Sequence, residues 1–135
     1  MFTCQAISEA SPAEAWELLA RPDRWDEWAP HVRGAWGLGE PEVQEGRRGY
    51  ARLMGVLPVP VRITEVREGS SWTWQVGPAV MAHRVEPRDE GCLVVVEIEA
   101  PSALEAPLRA FYRPLVELLL ARLAKKAASR DSALG

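Results

Sequence analysis

The feature that most limits what this chain can fold into is its last long periodic run, Ser102 to about Ala128. Leu104, Leu108, Phe111, Leu115, Leu118, Leu119 and Leu123 recur at three- and four-residue steps, which predicts an amphipathic helix with one apolar face. A stripe that wide needs a broad apolar partner, so the rest of the chain must supply one. Ser102 with Glu105 three residues on has the spacing of a capping box, and Lys125, Lys126 and Arg130 gather where the helix dipole favours cations. Pro114 interrupts the run. It removes a hydrogen bond and crowds the preceding turn at a cost of about 3 kcal/mol unless compensated, so a bend is expected near Ala110 to Pro114.

The preceding chain supplies strands. Phe2 to Ser8 is a short extended run, after which Ser11-Pro12-Ala13-Glu14 combines an N-cap serine, proline at the first helical position and glutamate at the third. This helix should end near Ala20. Pro22 and Asp23 restart a shorter helix or turn that ends at Pro30, and Trp25 and Trp28, three residues apart, share a face that turns inward as a plug. Six extended runs follow: Val32 to Leu38, Gly49 to Met54, Val59 to Val66, Ser71 to Val76, Val80 to Pro87 and Cys92 to Ala100. They are separated by Gly-, Pro- and Asp-containing turns, the pattern of an antiparallel sheet. Period-two alternation puts Trp72, Trp74 and Val76 on one face, with Met81, His83 and Val85, and Val94, Val96 and Ile98, in the same relation. Thr73, Gln75, Arg84, Glu86, Glu97 and Glu99 take the other face, so one side is apolar and the other wet. Residues 1–135 read as a single domain, with 129–135 a frayed tail.

Several function classes find no support. A net charge of −3, with no basic run longer than Arg47-Arg48 or Lys125-Lys126, argues against nucleic acid. No window approaches the length of an apolar membrane span, and MFTCQAISEA lacks the basic and apolar regions of a signal peptide, so a cytoplasmic location is expected. The two His and two Cys are too scattered for a metal site, and no phosphate loop, dinucleotide fingerprint or nucleophile elbow is present. Neither metal nor cofactor is therefore expected. Cys4 and Cys92 fall in extended runs and read as small buried hydrophobes.

The order strand, two helices, six strands, long helix, together with Ser11-Pro12-Ala13-Glu14-Ala15-Trp16-Glu17-Leu18-Leu19 and Pro22-Asp23-Arg24-Trp25-Asp26-Glu27-Trp28-Ala29-Pro30, resembles the START-like (SRPBCC) superfamily and its polyketide cyclase/dehydrase branch. Trp72-Thr73-Trp74, the run Ala82 to Pro87 and the closing helix extend the resemblance over nearly the whole chain. It implies an α+β helix-grip fold, in which a curved seven-stranded antiparallel sheet wraps a long C-terminal helix, two short helices follow the first strand, and an internal cavity lies between sheet and helix. It also implies that the first strand pairs with the last, which would put Cys4 near Ile98, about 20 Å from Cys92, with no intrachain disulfide.

The apolar sheet face and helix stripe could fill one another as plain core or line a pocket for an apolar ligand, and the resemblance favours the pocket. Its wall would comprise Trp72, Trp74, Met81, Val96, Phe111 and Leu115. His83, pointing inward, would be a hydrogen-bonding group, a general base, or simply a satisfied core histidine, and is the best catalytic candidate if there is catalysis. Tyr112, beside the expected bend, could meet a ligand's polar head, as could Arg113, which suits a solvated helix face better. Arg52 and Arg62 would signal a carboxylate-bearing ligand if they turned inward, a parity that glycine-permitted bulges leave open. His31 reads as a surface residue. The expected function is binding of a hydrophobic or amphipathic small molecule. The alternatives are a cyclase, aromatase or dehydratase using the same cavity, and a protein-interaction module, in either case as monomer or dimer.

Overall fold

The Ser11 start signal produces the helix it describes. The structure, a computed structural model, describes residues 1–28, 35–39, 42–53 and 57–134, with side chains over the same residues except 26, 35, 36, 51–53, 57, 58 and 130–134. Strand β1 (Phe2–Ser8) leads into helix α1 (Pro12–Ala20), where the Glu14 amide donates to Ser11 Oγ at 3.3 Å as an N-cap requires. A 3-10 turn over Pro22–Glu27 follows. Strands β2 (Ala35–Trp36), β3 (Arg48–Leu53), β4 (Leu57–Arg67), β5 (Ser71–Val76), β6 (Ala79–Pro87) and β7 (Cys92–Glu99) come next. Of the expected run Val32 to Leu38, only Ala35–Trp36 is strand among the described residues; 32–34 lie outside them, as do His31 and the Pro30 stop.

All neighbours in the sheet are antiparallel, in the order β1-β7-β6-β5-β4-β3-β2. Six strands carry the curved sheet and the two-residue β2 closes one edge, which with the long C-terminal helix is the α+β helix-grip architecture. First and last strands pair as expected, although Cys4 stands opposite Val96 rather than Ile98. Four residues then separate Cys4 from Cys92 along the strands, about 14 Å, and both cysteines are buried and in no disulfide. The β6–β7 turn shows why glycine is needed there. Gly91 adopts φ +92°, and a Cβ would run into the Ser8 carbonyl at the end of β1.

The parity of the sheet is the expected one. Trp72, Trp74, Met81, His83, Val85, Val94, Val96 and Ile98 are buried, while Arg84 on the outer face is held between Glu86 and Glu97. The C-terminal helix departs further from expectation. It begins as α2 (Ser102–Pro107), passes through a π-helical turn over Leu108–Tyr112 and continues as α3 (Arg113–Leu134), beyond Ala128 into the segment expected to fray. Pro101, not Ser102, is the N-cap residue: its carbonyl accepts from the Leu104 and Glu105 amides, and no side chain caps the end. The π-turn is how the chain accommodates Pro114, with the Arg113 amide reaching back to the Leu108 carbonyl as the ladder widens.

That extra residue changes the helix phase. The buried face of α3 is Val116, Leu119, Leu120, Leu123, Ala124 and Ala127, whereas Leu104, Phe111 and Leu118 point out, Phe111 being 82 % exposed. The stripe expected from leucine spacing is thus correct at Leu119 and Leu123 and wrong at those three positions. Ser8 fixes the depth of the helix: its hydroxyl donates to the Ala124 carbonyl at 2.7 Å and accepts from the Ala10 amide at 3.2 Å.

The phase is testable by substitution. Leu123→Ala, at a fully buried position, should cost about 2–5 kcal/mol, while Leu118→Ala should stay within about 0.5 kcal/mol of wild type in urea unfolding. Equal costs at the two sites would refute the assignment of faces.

Candidate functional site

The inner face of the sheet meets the rest of the molecule at the C-terminus of α1. A helix leaves its last four carbonyls without intrahelical partners, and a buried carbonyl must find one. All four are satisfied here. The Arg21 amide donates to Glu17, the Trp28 indole to Leu18 at 2.9 Å, and the Val43 amide to Ala20 at 2.9 Å. The Leu19 carbonyl accepts two indole N–H groups, from Trp25 at 2.9 Å and Trp72 at 3.1 Å. One bond comes from the turn that follows α1 and the other from β5, which closes the sheet over the helix end. The plug expected of Trp25 and Trp28 is present, with Trp25 buried and Trp28 half-buried against the core.

Arg24 holds the turn in place. The residue is 8 % exposed, and its guanidinium contacts Glu27 at 3.0 Å, Glu17 at 3.1 Å and Glu14 at 3.8 Å. Burial works against this charge, yet the hydrogen bond to Glu27 and the surrounding carboxylates keep its pKa above the ordinary value. The turn is therefore clamped to α1 on its charged side and to the sheet on its aromatic side.

Around the Leu19 carbonyl the rings form a continuous stack. Trp25 lies on Trp72 with centroids 5.5 Å apart, and Trp72 on the His83 imidazole at 3.9 Å with planes 9° apart. Trp74 meets all three edge-on, at 5.4, 5.3 and 5.8 Å. His83 Nδ1 lies 3.3 Å from the Trp72 carbonyl; since that oxygen can only accept, the proton belongs on Nδ1. Burial lowers the His83 pKa to about 4, overcoming the opposite pull of the Trp72 and Met81 carbonyls, so the ring is neutral at pH 7. Trp74 presents the opposite situation. Its indole N–H is buried with no acceptor among the described residues, as is that of Trp16 on α1.

Of the residues expected to line a pocket, Trp72, Trp74, Met81, His83 and Val96 are brought together on the buried face, and Tyr112 and Leu115 pack half-buried against the same core. Phe111 is not part of that wall, because the π-turn directs it outward. Burial, with the nearby Cys4 as a smaller cause, raises the Tyr112 phenol pKa; burial, then Glu117, raises that of the Cys4 thiol, so both stay protonated. Arg62 is exposed on the outer face and Arg113 is ion-paired to Glu117 at 3.0 Å, while the Arg52 side chain and His31 lie outside the described residues. Sequence patterning could place Trp25 and Trp72 indoors but not on one carbonyl, since Leu19 carries no side-chain signal of that role.

The sequence profile of a family described as polyketide cyclase/dehydrase and lipid transport matches residues 2–130. No curated protein matches the chain. Among solved structures, protein NE0264 from Nitrosomonas europaea is similar at a TM-score of 0.78 and 11% identity, covering 98% of this chain and 96% of that one. MLL2253 from Mesorhizobium loti is similar at a TM-score of 0.78 and 12% identity, covering 96% of each chain. EF2215 from Enterococcus faecalis, a conserved protein of unknown function, matches at a TM-score of 0.74 and 18% identity over 96% of this chain and 72% of its own. At such identities these likenesses establish the fold alone. No helix among the described residues is long and apolar enough to cross a membrane.

The buried imidazole makes stability depend on pH in a defined direction. Between pH 6.5 and about 4 the unfolded chain takes up a proton that folded His83 refuses. Its contribution is therefore complete above pH 6.5, falls as the pH drops through that window, and levels off below about 4, amounting to about 3 kcal/mol. Urea unfolding of wild type and His83→Gln across that range should give a steeper loss in wild type. Parallel curves would mean that His83 titrates normally.

Proposed function

The chain belongs to the polyketide cyclase/dehydrase and lipid transport family, and from that premise we propose that it binds a hydrophobic or amphipathic small molecule, lipid- or polyketide-like, between the inner sheet face and the C-terminal helix. The observation that carries this reading is the Trp74 indole N–H, buried on the apolar face beside His83 with no acceptor among the described residues. An unmet buried donor costs about 1–3 kcal/mol, which a ligand carbonyl or hydroxyl would relieve. Met81, Val96 and Leu115 supply apolar wall, and Tyr112 and His83 supply polar contacts.

Holding a ligand suits these groups better than transforming it. A general base works best with a pKa near the working pH, and His83 sits at about 4, while burial moves the Tyr112 phenol away from neutrality in the other direction. Both are fixed as neutral hydrogen-bonding groups. A cyclase or dehydratase would need one of them retuned by its substrate.

Two binding experiments test the proposal. Native mass spectrometry of freshly purified protein should show a discrete extra mass that disappears on denaturation, and delipidated protein should take up oleic acid with one-to-one saturation. Trp74→Phe should weaken oleic acid about tenfold, the value of one hydrogen bond, and leave uptake of the hydrocarbon probe diphenylhexatriene near wild type. Protein that carries no extra mass and binds neither probe refutes an internal site; equal loss of both probes refutes the polar role of Trp74.

A further inference from the structure

The outer face of the sheet carries a feature that an internal ligand site does not explain. The register sets Arg48 of β3 directly opposite Arg62 of β4, and Arg62 opposite Gln75 of β5. All three side chains are exposed and neighbours on one rung, with Cβ atoms of adjacent strands about 5 Å apart. Like charges facing each other across a strand pair are destabilising, and a sheet normally interposes an acid. It does so elsewhere on this face, where Arg84 lies between Glu86 and Glu97 and Glu65 pairs with Arg67 at 2.9 Å. Neither Arg48 nor Arg62 has a carboxylate partner among the described residues. The acid on their own rung, Glu99, stands three strands from Arg62, about 14 Å away.

The rung has the shape of a site as well as the charge. Tyr50, two residues along β3 and on the same face as Arg48, is 45 % exposed opposite Pro60. Together with Gln75, whose carboxamide donates to the Gly77 carbonyl at 3.4 Å, these residues border an open groove of about 360 Å³. We propose that this groove binds a phosphate monoester with an apolar or aromatic body, its phosphate bridging Arg48 and Arg62 and its body lying along Tyr50. Two adjacent guanidinium forks match the near-dianionic charge and the oxygen geometry of such a phosphate better than the single charge of a carboxylate. The site is on the opposite side of the sheet from His83 and Trp74, so it is occupied independently of any internal ligand.

Phenyl phosphate is the probe. It should raise the melting temperature of the wild-type chain more than sodium chloride of equal ionic strength and more than phenol, and it should shift the NMR signals of Tyr50 and the Gln75 carboxamide. Arg62→Gln should weaken its binding at least tenfold. Arg48→Glu should abolish the response and, by turning a repulsive rung into an ion pair, raise the melting temperature of the unliganded protein by about 1–4 °C. A shift no larger than that produced by sodium chloride, a response undiminished in R48E, or perturbations confined to residues of the inner face would each overturn the proposal.

Discussion

The Leu19 carbonyl is the point on which the other contacts of the inner face depend. Helix α1 is only nine residues long, too short to persist in water on its own propensity, and its C-terminal carbonyls are buried beneath the sheet. Two of those carbonyls, Leu18 and Leu19, are met by indoles, and the other two by the Arg21 and Val43 amides. Indole suits the task because it delivers one N–H at the end of a large apolar body, so satisfying the backbone and filling the concavity are one event. Because the donors come from the turn after α1 and from β5, loss of one bond would loosen a tertiary junction as well as a helix end. Arg24, fastened to three glutamates on the far side of the turn, keeps the Trp25 ring in register with Trp72.

This arrangement accounts for part of the buried apolar sheet face as packing. Trp25 and Trp72 stack and spend their indole N–H groups on the Leu19 carbonyl, and the His83 imidazole, stacked on Trp72, is held neutral by burial with its Nδ1 side directed at the Trp72 carbonyl. Trp74 stands edge-on to that stack with its N–H uncommitted among the described residues. The stacked rings answer to the plain-core reading of the sheet face, and the proposed pocket rests on Trp74.

The C-terminal helix shows how one local defect sets a global phase. Pro114 cannot donate to the turn before it, and the widened π-turn absorbs the missing bond while advancing the helix by a residue. Beyond it, the side of α3 that meets β1 and α1 is built from Val116, Leu119, Leu120, Leu123, Ala124 and Ala127, with alanines permitting close approach near Ser8. Before it, α2 buries no residue and Phe111 faces water.

The family resemblance implied the pairing of the first and last strands, while the residues themselves specified the element order, the parity of β5, β6 and β7, and the Ser11 start of α1. Those last three rest on local rules: period-two alternation, turn residues and cap chemistry act within a few residues of where they are read. The remaining features depend on contacts between residues distant in the chain. Seven leucine and phenylalanine positions between Leu104 and Leu123 were compatible with one face, and the choice of Leu120 over Leu118 depended on a π-turn and on which strand the helix met. The convergence of Trp25 and Trp72 on Leu19 joins residues 53 apart in the chain through a backbone atom common to every residue, so no side-chain pattern marks it. The pairing of Arg48 with Arg62 likewise follows from strand register across a connection, and register is set by the packing of the whole sheet rather than by either strand alone.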